Sequence, residues 1–271
     1  MQSSFQHPSR RFRASANIQK GEPLKRMFDR RLVELIAEAF ASVVPGFDAK
    51  CFRASAVRGL RPLGLLERSA RIAAALMEQL PADFDEAGPL LIAALGPPLT
   101  ATEGNGLAPF FYMPYAHVIA ERGVARFASG MRANYELTRR FTAEFSIRPF
   151  VVEHQRPCLK LLAKWAADPD PHVRRLVSEG TRPRLPWAMR LRAIQEDPGL
   201  VLPLLEKLKD DPVLYVRRSV ANHLGDIAKD HPQRAFEVCR KWIDEVDRSD
   251  AARAEARLWI VRHALRLPAR Q

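Results

Sequence analysis

The sequence predicts an all-α protein assembled from two-helix repeats, and three observations predict it. First, DPDPHVRRLVSEG (168–180) is echoed by DDPVLYVRRSVANH (210–223). Val173-Arg174-Arg175 returns as Val216-Arg217-Arg218 and, in part, as Val261-Arg262-His263, at intervals of 43 and 45 residues. A period of about 40–47 residues with two helices per unit is the mark of HEAT-like helical repeats. Second, Asp168-Pro169 and Asp211-Pro212 supply turns between paired helices. Third, no run alternates apolar and polar residues at useful length, and no hairpin signal stands between such runs.

The elements follow in order. Residues 1–21 are rich in arginine and serine and hold no acid before Glu22. They superficially resemble a transit peptide, but a disordered basic arm is the expectation. A helix opens at Pro23, with Leu32, Leu35, Ile36, Ala39 and Phe40 at helical spacing, and stops at Pro45-Gly46. Helices are expected at 48–59, 62–80 and 84–95. GPPLTATEGNGLAPFFYMP (96–114) holds four prolines and three glycines and reads as a long loop. Its cluster Phe110, Phe111, Tyr112 and Tyr115 is either an anchor onto the first helices or a platform for stacked bases. Helices resume at 114–121, 124–129 and 131–140, and a kink is expected at Pro149. Helices at 157–167, 172–180, 186–196, 200–209, 213–228, 233–246 and 249–267 complete the chain.

Composition narrows the function. The 271 residues carry a net charge of +12, and arginine outnumbers lysine several-fold. Arginine keeps its charge when partly buried and grips phosphate with two bonds. Arginines placed on repeated helices are the footprint of a nucleic-acid binder. Cys51, Cys158 and Cys239 are far apart, form no CxxC, and fall in apolar helical patterns. A disulfide framework is excluded, core packing is expected for all three, and a reducing cytoplasmic setting fits. The seven histidines show no HExxH spacing, so neither a catalytic metal nor a cofactor is expected. No run of about 18 apolar residues exists to span a membrane.

Four residues stand out chemically. Val173, Leu176 and Val177 define the core face of helix 172–180, which leaves Arg174, Arg175, Ser178 and Glu179 on or beside the other face. Glu179 precedes Gly180, a helix C-cap residue, where the dipole disfavours a carboxylate. Either Glu179 has a function, or it makes an i,i+4 ion pair with Arg175. Trp187, after Pro186 at the start of the next helix, either plugs the core between repeats or presents its face to a cationic ligand. Trp165, Trp242 and Trp259 read as core. Glu144 lies among Phe141, Ala143, Phe145 and Ile147 and needs a partner, such as Arg148, or a role. Asp226 is either a solvated helix-end aspartate or shares a contact with Asn222.

At these residues the chain resembles the AlkC-type DNA glycosylases, relatives of the AlkD-type alkylpurine glycosylases. The resemblance runs through PLKRMF (23–28), FFYMPYAHVIAERG (110–123), FTAEFSIRPF (141–150), VRRLVSEGTRPRLPW (173–187), YVRRSVANHLGDIAKDHP (215–232) and WIVRHALR (259–266). It implies a right-handed α-solenoid of HEAT-like repeats whose concave basic face cradles duplex DNA. It implies one domain over 22–271, without the immunoglobulin-like C-terminal domain of some members, and a monomer. The implied reaction is hydrolysis of the N-glycosidic bond of cationic alkylated bases: 3-methyladenine, 3-methylcytosine and 1-methyladenine. By position, the family's active-site groups fall on Glu144, Glu179, Trp187 and Asp226. His223 and Gly225 depart from the more asparagine-like character expected beside Asp226.

Such a reaction suits those residues. The leaving base is already cationic and needs no general acid. Charge develops on the sugar as the bond breaks, and a nearby carboxylate stabilises it. Glu179 is expected in that role with Glu144 as partner, and Trp187 against the sugar and lesion. Arg148, Arg174, Arg175, Arg182, Arg217 and Arg218 are expected on DNA, holding phosphates without reading sequence. A non-catalytic module binding DNA or RNA, or a protein-interaction scaffold, would need no carboxylate beside an indole.

Overall fold

The computed structural model describes residues 6–266, and every regular element among them is helical. The chain divides after Ser146 into two compact units.

In the first unit, the helices are α1 (Arg30–Ala41), α2 (Ala49–Val57), α3 (Leu65–Met77), α4 (Phe84–Ala93), α5 (Met113–Arg122) and α6 (Phe127–Thr138). The helix expected from Pro23 is broken. Leu24–Met27 is a single 3-10 turn, and α1 starts afresh where Asp29 accepts a bond from the Leu32 amide at 3.0 Å. Asp48 and Asp83 cap α2 and α4 in the same way. Leu32, Leu35, Ile36, Ala39 and Phe40 are buried as their spacing predicts. The 96–114 loop ends in a 3-10 turn, Ala108–Tyr112, that leads into α5. Phe111 and Tyr115 are fully buried, and Tyr115 packs on Phe40 at 5.2 Å between rings. This aromatic cluster anchors the loop; it is not a platform open to bases.

Part of the N-terminal segment also departs from expectation. Residues 1–5 lie outside the described residues. Residues 6–21 are not a free arm: Pro8–Arg11 forms a 3-10 turn against α1 and the Ala108–Tyr112 turn. Burial of Pro8, Phe12 and Ile18 supplies the reason, with Phe12 6.0 Å from Phe111 ring to ring.

In the second unit, the helices are α7 (Arg148–Glu153), α8 (Gln155–Trp165), α9 (Pro171–Glu179), α10 (Arg192–Glu196), α11 (Leu202–Leu208), α12 (Leu214–Asp230), α13 (Pro232–Asp244) and α14 (Ala251–Leu265). Pro149 starts α7 rather than kinking a longer helix, because an N-terminal position needs no N–H from it. The three echo-bearing helices form one row, with α12 packed between α9 and α14. Val173, Val216 and Val261 are all buried, as a repeat requires. On the other side, α8, α11 and α13 back α9 and α12. Trp242 is fully buried, whereas Trp165 and Trp259 are only half-buried. Cys158 and Cys239 are buried, but Cys51 is exposed and takes no part in the core.

No described helix is long and apolar enough to cross a membrane.

Candidate active site

Asp170 caps α9 by accepting from the His172 amide at 2.9 Å, and Pro171 occupies its first turn. Val173, Leu176 and Val177 are buried, which fixes the helix's rotation. The helix ends at Glu179. Gly180 there is not the left-handed cap its sequence position suggests, for its φ is −67°. Its glycine serves space: a Cβ would lie 2.7 Å from Ile147 Cγ2 and 2.9 Å from the Leu176 carbonyl oxygen. Thr181 Oγ1 donates to the Val177 carbonyl at 2.7 Å and satisfies one open helix-end group.

Rotation and ending together bury Glu179, which is 6% exposed, against α12. Every oxygen of the carboxylate has a donor. Arg182 Nη1 donates to Oε1 at 2.7 Å, Arg175 Nη2 lies 3.5 Å from the same oxygen, and Ser219 Oγ donates to Oε2 at 2.6 Å. The i,i+4 pair with Arg175 therefore exists, as one part of a larger network. Arg182 also reaches the second carboxylate: its Nε and Nη2 meet Asp226 Oδ2 at 2.8 and 2.7 Å. Lys229 Nζ holds Asp226 Oδ1 at 2.8 Å. Asp226 is 2% exposed, so it is no solvated helix-end residue. One guanidinium thus bridges two buried carboxylates.

The electrostatics follow. Burial pushes the Glu179 carboxyl up, but Arg175, Arg182 and the Ser219 hydroxyl together hold it below its ordinary value. Burial likewise opposes the charge on Arg182, yet Glu179 and Asp226 hold its pKa above the ordinary one. His223 is fully buried, and burial with the nearby Arg182 charge drops its pKa to about 3. It is neutral, and its Nδ1–H donates to the Ser178 carbonyl at 3.0 Å, one residue before Glu179. The site is a pair of buried carboxylates held ionised by three cations, Arg175, Arg182 and Lys229.

Trp187 is the main correction to the sequence reading. The expected helix 186–196 does not form; α10 spans only Arg192–Glu196. Trp187, the second residue of the expected helix, interrupts it by adopting φ 64°, the one positive value on a non-glycine residue among the described residues. Left-handed backbone at a bulky residue costs of order 1–3 kcal/mol and clusters at functional sites. The indole is 64% exposed, so it plugs no core. Its loop is fastened on both sides. Fully buried Arg148 donates from Nε to the Met189 carbonyl at 2.7 Å and from Nη1 to Gly180 O at 3.2 Å. Arg184 pairs with both carboxylate oxygens of Asp230 through its Nε–Nη2 edge, and Leu191 N bonds Pro183 O at 3.2 Å. Arg148, expected on phosphate, is a clamp for this loop.

The repeated arginines divide by position. Arg174 Nη1 donates to the carbonyls of Asp168 and Pro169 at 2.8 and 3.0 Å, while its Nε holds Asp211 at 2.6 Å. Arg217 Nη1 makes the equivalent bond to Pro212 O at 3.3 Å and lies over the Trp259 ring at 5.9 Å. The first arginine of each echo therefore fastens its own Asp-Pro turn, where phosphate contact was expected. Of the second arginines, Arg175 stacks over Tyr215 at 4.9 Å beside Glu179. Arg218 is exposed and forms no ion pair among the described residues.

Glu144 belongs to the first unit. There it caps a turn: its carboxylate accepts from Thr142 Oγ1 at 2.9 Å. Of the four expected catalytic residues, then, Glu179 and Asp226 are joined by Arg182, Trp187 stands on the loop that leaves Glu179, and Glu144 sits on a separate unit. Sequence reasoning missed Ser219, Lys229 and the bridging role of Arg182. A signal for Ser219 existed: it replaces core residue Leu176 of the first echo. Among the described residues, no three His, Cys, Asp or Glu side chains cluster as metal ligands would.

No protein-family model matches the chain. A solved structure does: Pseudomonas fluorescens alkylpurine DNA glycosylase AlkC bound to DNA containing an abasic site analog aligns over 91% of this chain with TM-score 0.77 and 37% identity. The chain is similar to AlkC. The resemblance carried by the motifs thus extends to the folded backbone, and at this identity it is a likeness of sequence as well as of fold. YhaZ of Bacillus subtilis (strain 168), described as uncharacterized, is 34% identical over 244 residues, 90% of this chain. The chain spans 64% of the length of AlkC and likewise 64% of YhaZ.

Proposed function

We propose that this protein is a DNA glycosylase that hydrolyses the N-glycosidic bond of cationic alkylated bases in duplex DNA. 3-Methyladenine, 3-methylcytosine and 1-methyladenine are the intended substrates. The observation that carries the reading is the Glu179–Arg182–Asp226 network, with the strained, exposed Trp187 on the loop that follows Glu179. Similarity to AlkC and a net charge of +12 support it.

The C1′–N bond breaks with its electron pair leaving on the base, which departs neutral. Positive charge grows on the deoxyribose, and the ionised Glu179 stabilises it. A carboxyl held below its ordinary range is a weak base, so Glu179 acts through its charge. Water then adds to C1′ and loses a proton, for which Glu144 is the proposed acceptor. Trp187 offers its π face to the cationic base, and a rigid loop keeps it there without ordering cost. Arg175 and Arg218, with duplex DNA on a concave face of a right-handed solenoid, complete the proposal.

The test is release of free base from methylated duplex DNA. Wild type should release 3-methyladenine, and Glu179→Gln should release it about 100- to 1000-fold more slowly, the scale for removing one preorganised charge-stabilising group. Salt-sensitive DNA binding without base release by the folded wild type would overturn the enzyme reading in favour of a binding module.

A further inference from the structure

A second basic feature lies in the first unit, built around the docked N-terminal segment. A cavity of about 300 Å³ opens there between Arg10, Arg13 and Arg140, with walls that include Pro97, Pro98 and Pro109. Its floor is fixed by a polar relay. Tyr112 OH accepts from the Gly96 amide at 3.0 Å and bonds the Ser9 side chain, whose Oγ lies 2.8 Å from His7 Nδ1. Gly96 leaves room for this docking: a Cβ would stand 2.6 Å from His7 Nδ1 and 2.8 Å from Tyr112 OH.

The guanidiniums are only partly used. Arg140 is deeply set, with a side chain 12% exposed. Its Nε donates to Gly96 O and its Nη1 to the Glu136 carbonyl and carboxylate, both at 2.7 Å, while Nη2 has no acceptor among the described residues. Arg13 spends Nη1 on the carbonyls of Arg10 and Phe12, at 2.6 and 2.8 Å, and keeps its other edge. Arg10 is exposed with no carboxylate partner among the described residues. Glu136 offsets one of the three charges. Open guanidinium edges facing one small cavity match the geometry of a phosphoryl group, which accepts paired N–H bonds.

We propose that this cavity is a phosphate-binding site that takes the phosphoryl group of a nucleotide, either free or within a DNA strand. The docked N-terminal segment creates it, because two of its three cations come from residues 10 and 13. The arginine-rich start of the chain is thereby a folded part of a binding site.

Calorimetry on the full chain tests this with inorganic phosphate, deoxyadenosine monophosphate and an unmodified duplex as probes. Wild type is expected to bind the first two probes, and the double variant Arg10→Gln/Arg13→Gln to bind them at least about ten-fold more weakly. Thr100→Glu, which places a carboxylate at the exposed rim, is expected to weaken them equally while removing no fold contact. The exposed pair Arg53→Gln/Arg248→Gln matches the charge change elsewhere and should leave binding unchanged. Thermal denaturation confirms that each variant folds. Competition then separates the sources. If the strand supplies the phosphate, duplex displaces deoxyadenosine monophosphate and binds the double variant more weakly. Equal duplex affinity in both proteins assigns the cavity to the free nucleotide. Absence of phosphate binding by wild type, or binding unchanged in both the double variant and Thr100→Glu, would overturn the proposal.

Discussion

Helices α9 and α12 begin from almost the same sequence and end in different work. Both bury the valine of Val-Arg-Arg, and both bond the following arginine to the proline carbonyl five residues back. Beyond that they part. Leu176 of α9 corresponds to Ser219 of α12, Glu179 to Asn222, and Gly180 to His223. The first helix stops at Glu179, while the second runs on to Asp230 and brings Asp226 with it. Each departure enters the charge network: Ser219 donates to Glu179, His223 fixes the carbonyl before it, and Asp226 shares its guanidinium. The valine and first arginine that the two copies share hold the fold, and the residues that differ between them build most of the site around Glu179.

The strongest way to break that comparison is Arg182→Met, which leaves two buried carboxylates without their common cation. Loss of a buried partner typically costs roughly 3–5 kcal/mol, so chemical denaturation should show a loss of that size together with loss of base release. The shared arginines sharpen it. Arg174→Gln should cost roughly 3 kcal/mol, because Asp211 is left buried without its cation, with the release rate per folded molecule kept. Arg218→Gln should leave the melting temperature unchanged and reduce the salt dependence of DNA binding by about one phosphate's worth.

His223 predicts a pH dependence. Its folded pKa of about 3 lies below the ordinary 6.5, so only the unfolded chain takes its proton between those values. Stability is therefore full above pH 6.5 and falls with pH below it, by up to roughly 1.4 kcal/mol per unit. His223→Asn should flatten the wild-type slope between pH 6.5 and 5 in thermal melts. A slope unchanged by the substitution would contradict the assignment. Glu179 has the same sign, but its contribution is lost only as pH falls below the ordinary carboxylate value of 4.5. The smallest effect is at Trp187. Trp187→Gly should be about 1 kcal/mol more stable than Trp187→Ala, since φ 64° suits glycine alone.

Much of this was legible in the sequence where periodicity carried the information. The apolar spacing of α1 and α9 and the echo itself placed the helices, because core packing acts on every turn. The site was legible through Glu179, a carboxylate where helix rules disfavour one. Arg148 and Arg174 were read as phosphate ligands because composition shows charge and not direction; carbonyls at Met189, Gly180, Asp168 and Pro169 claim them. The helix expected at 186–196 failed because the left-handed backbone of Trp187 breaks it at its start, which the local apolar pattern does not announce. Residues 6–21 failed as an arm because Phe12 and Ile18 find a distant partner surface that no local pattern announces.

The most direct test sets a departing residue against a shared one. Base release from methylated duplex is measured for wild type, Glu179→Gln and Arg174→Gln, each normalised to folded protein. The account predicts a rate lowered about 100-fold or more in Glu179→Gln and kept in Arg174→Gln despite its lower melting temperature. Release by Glu179→Gln at the wild-type rate would contradict it.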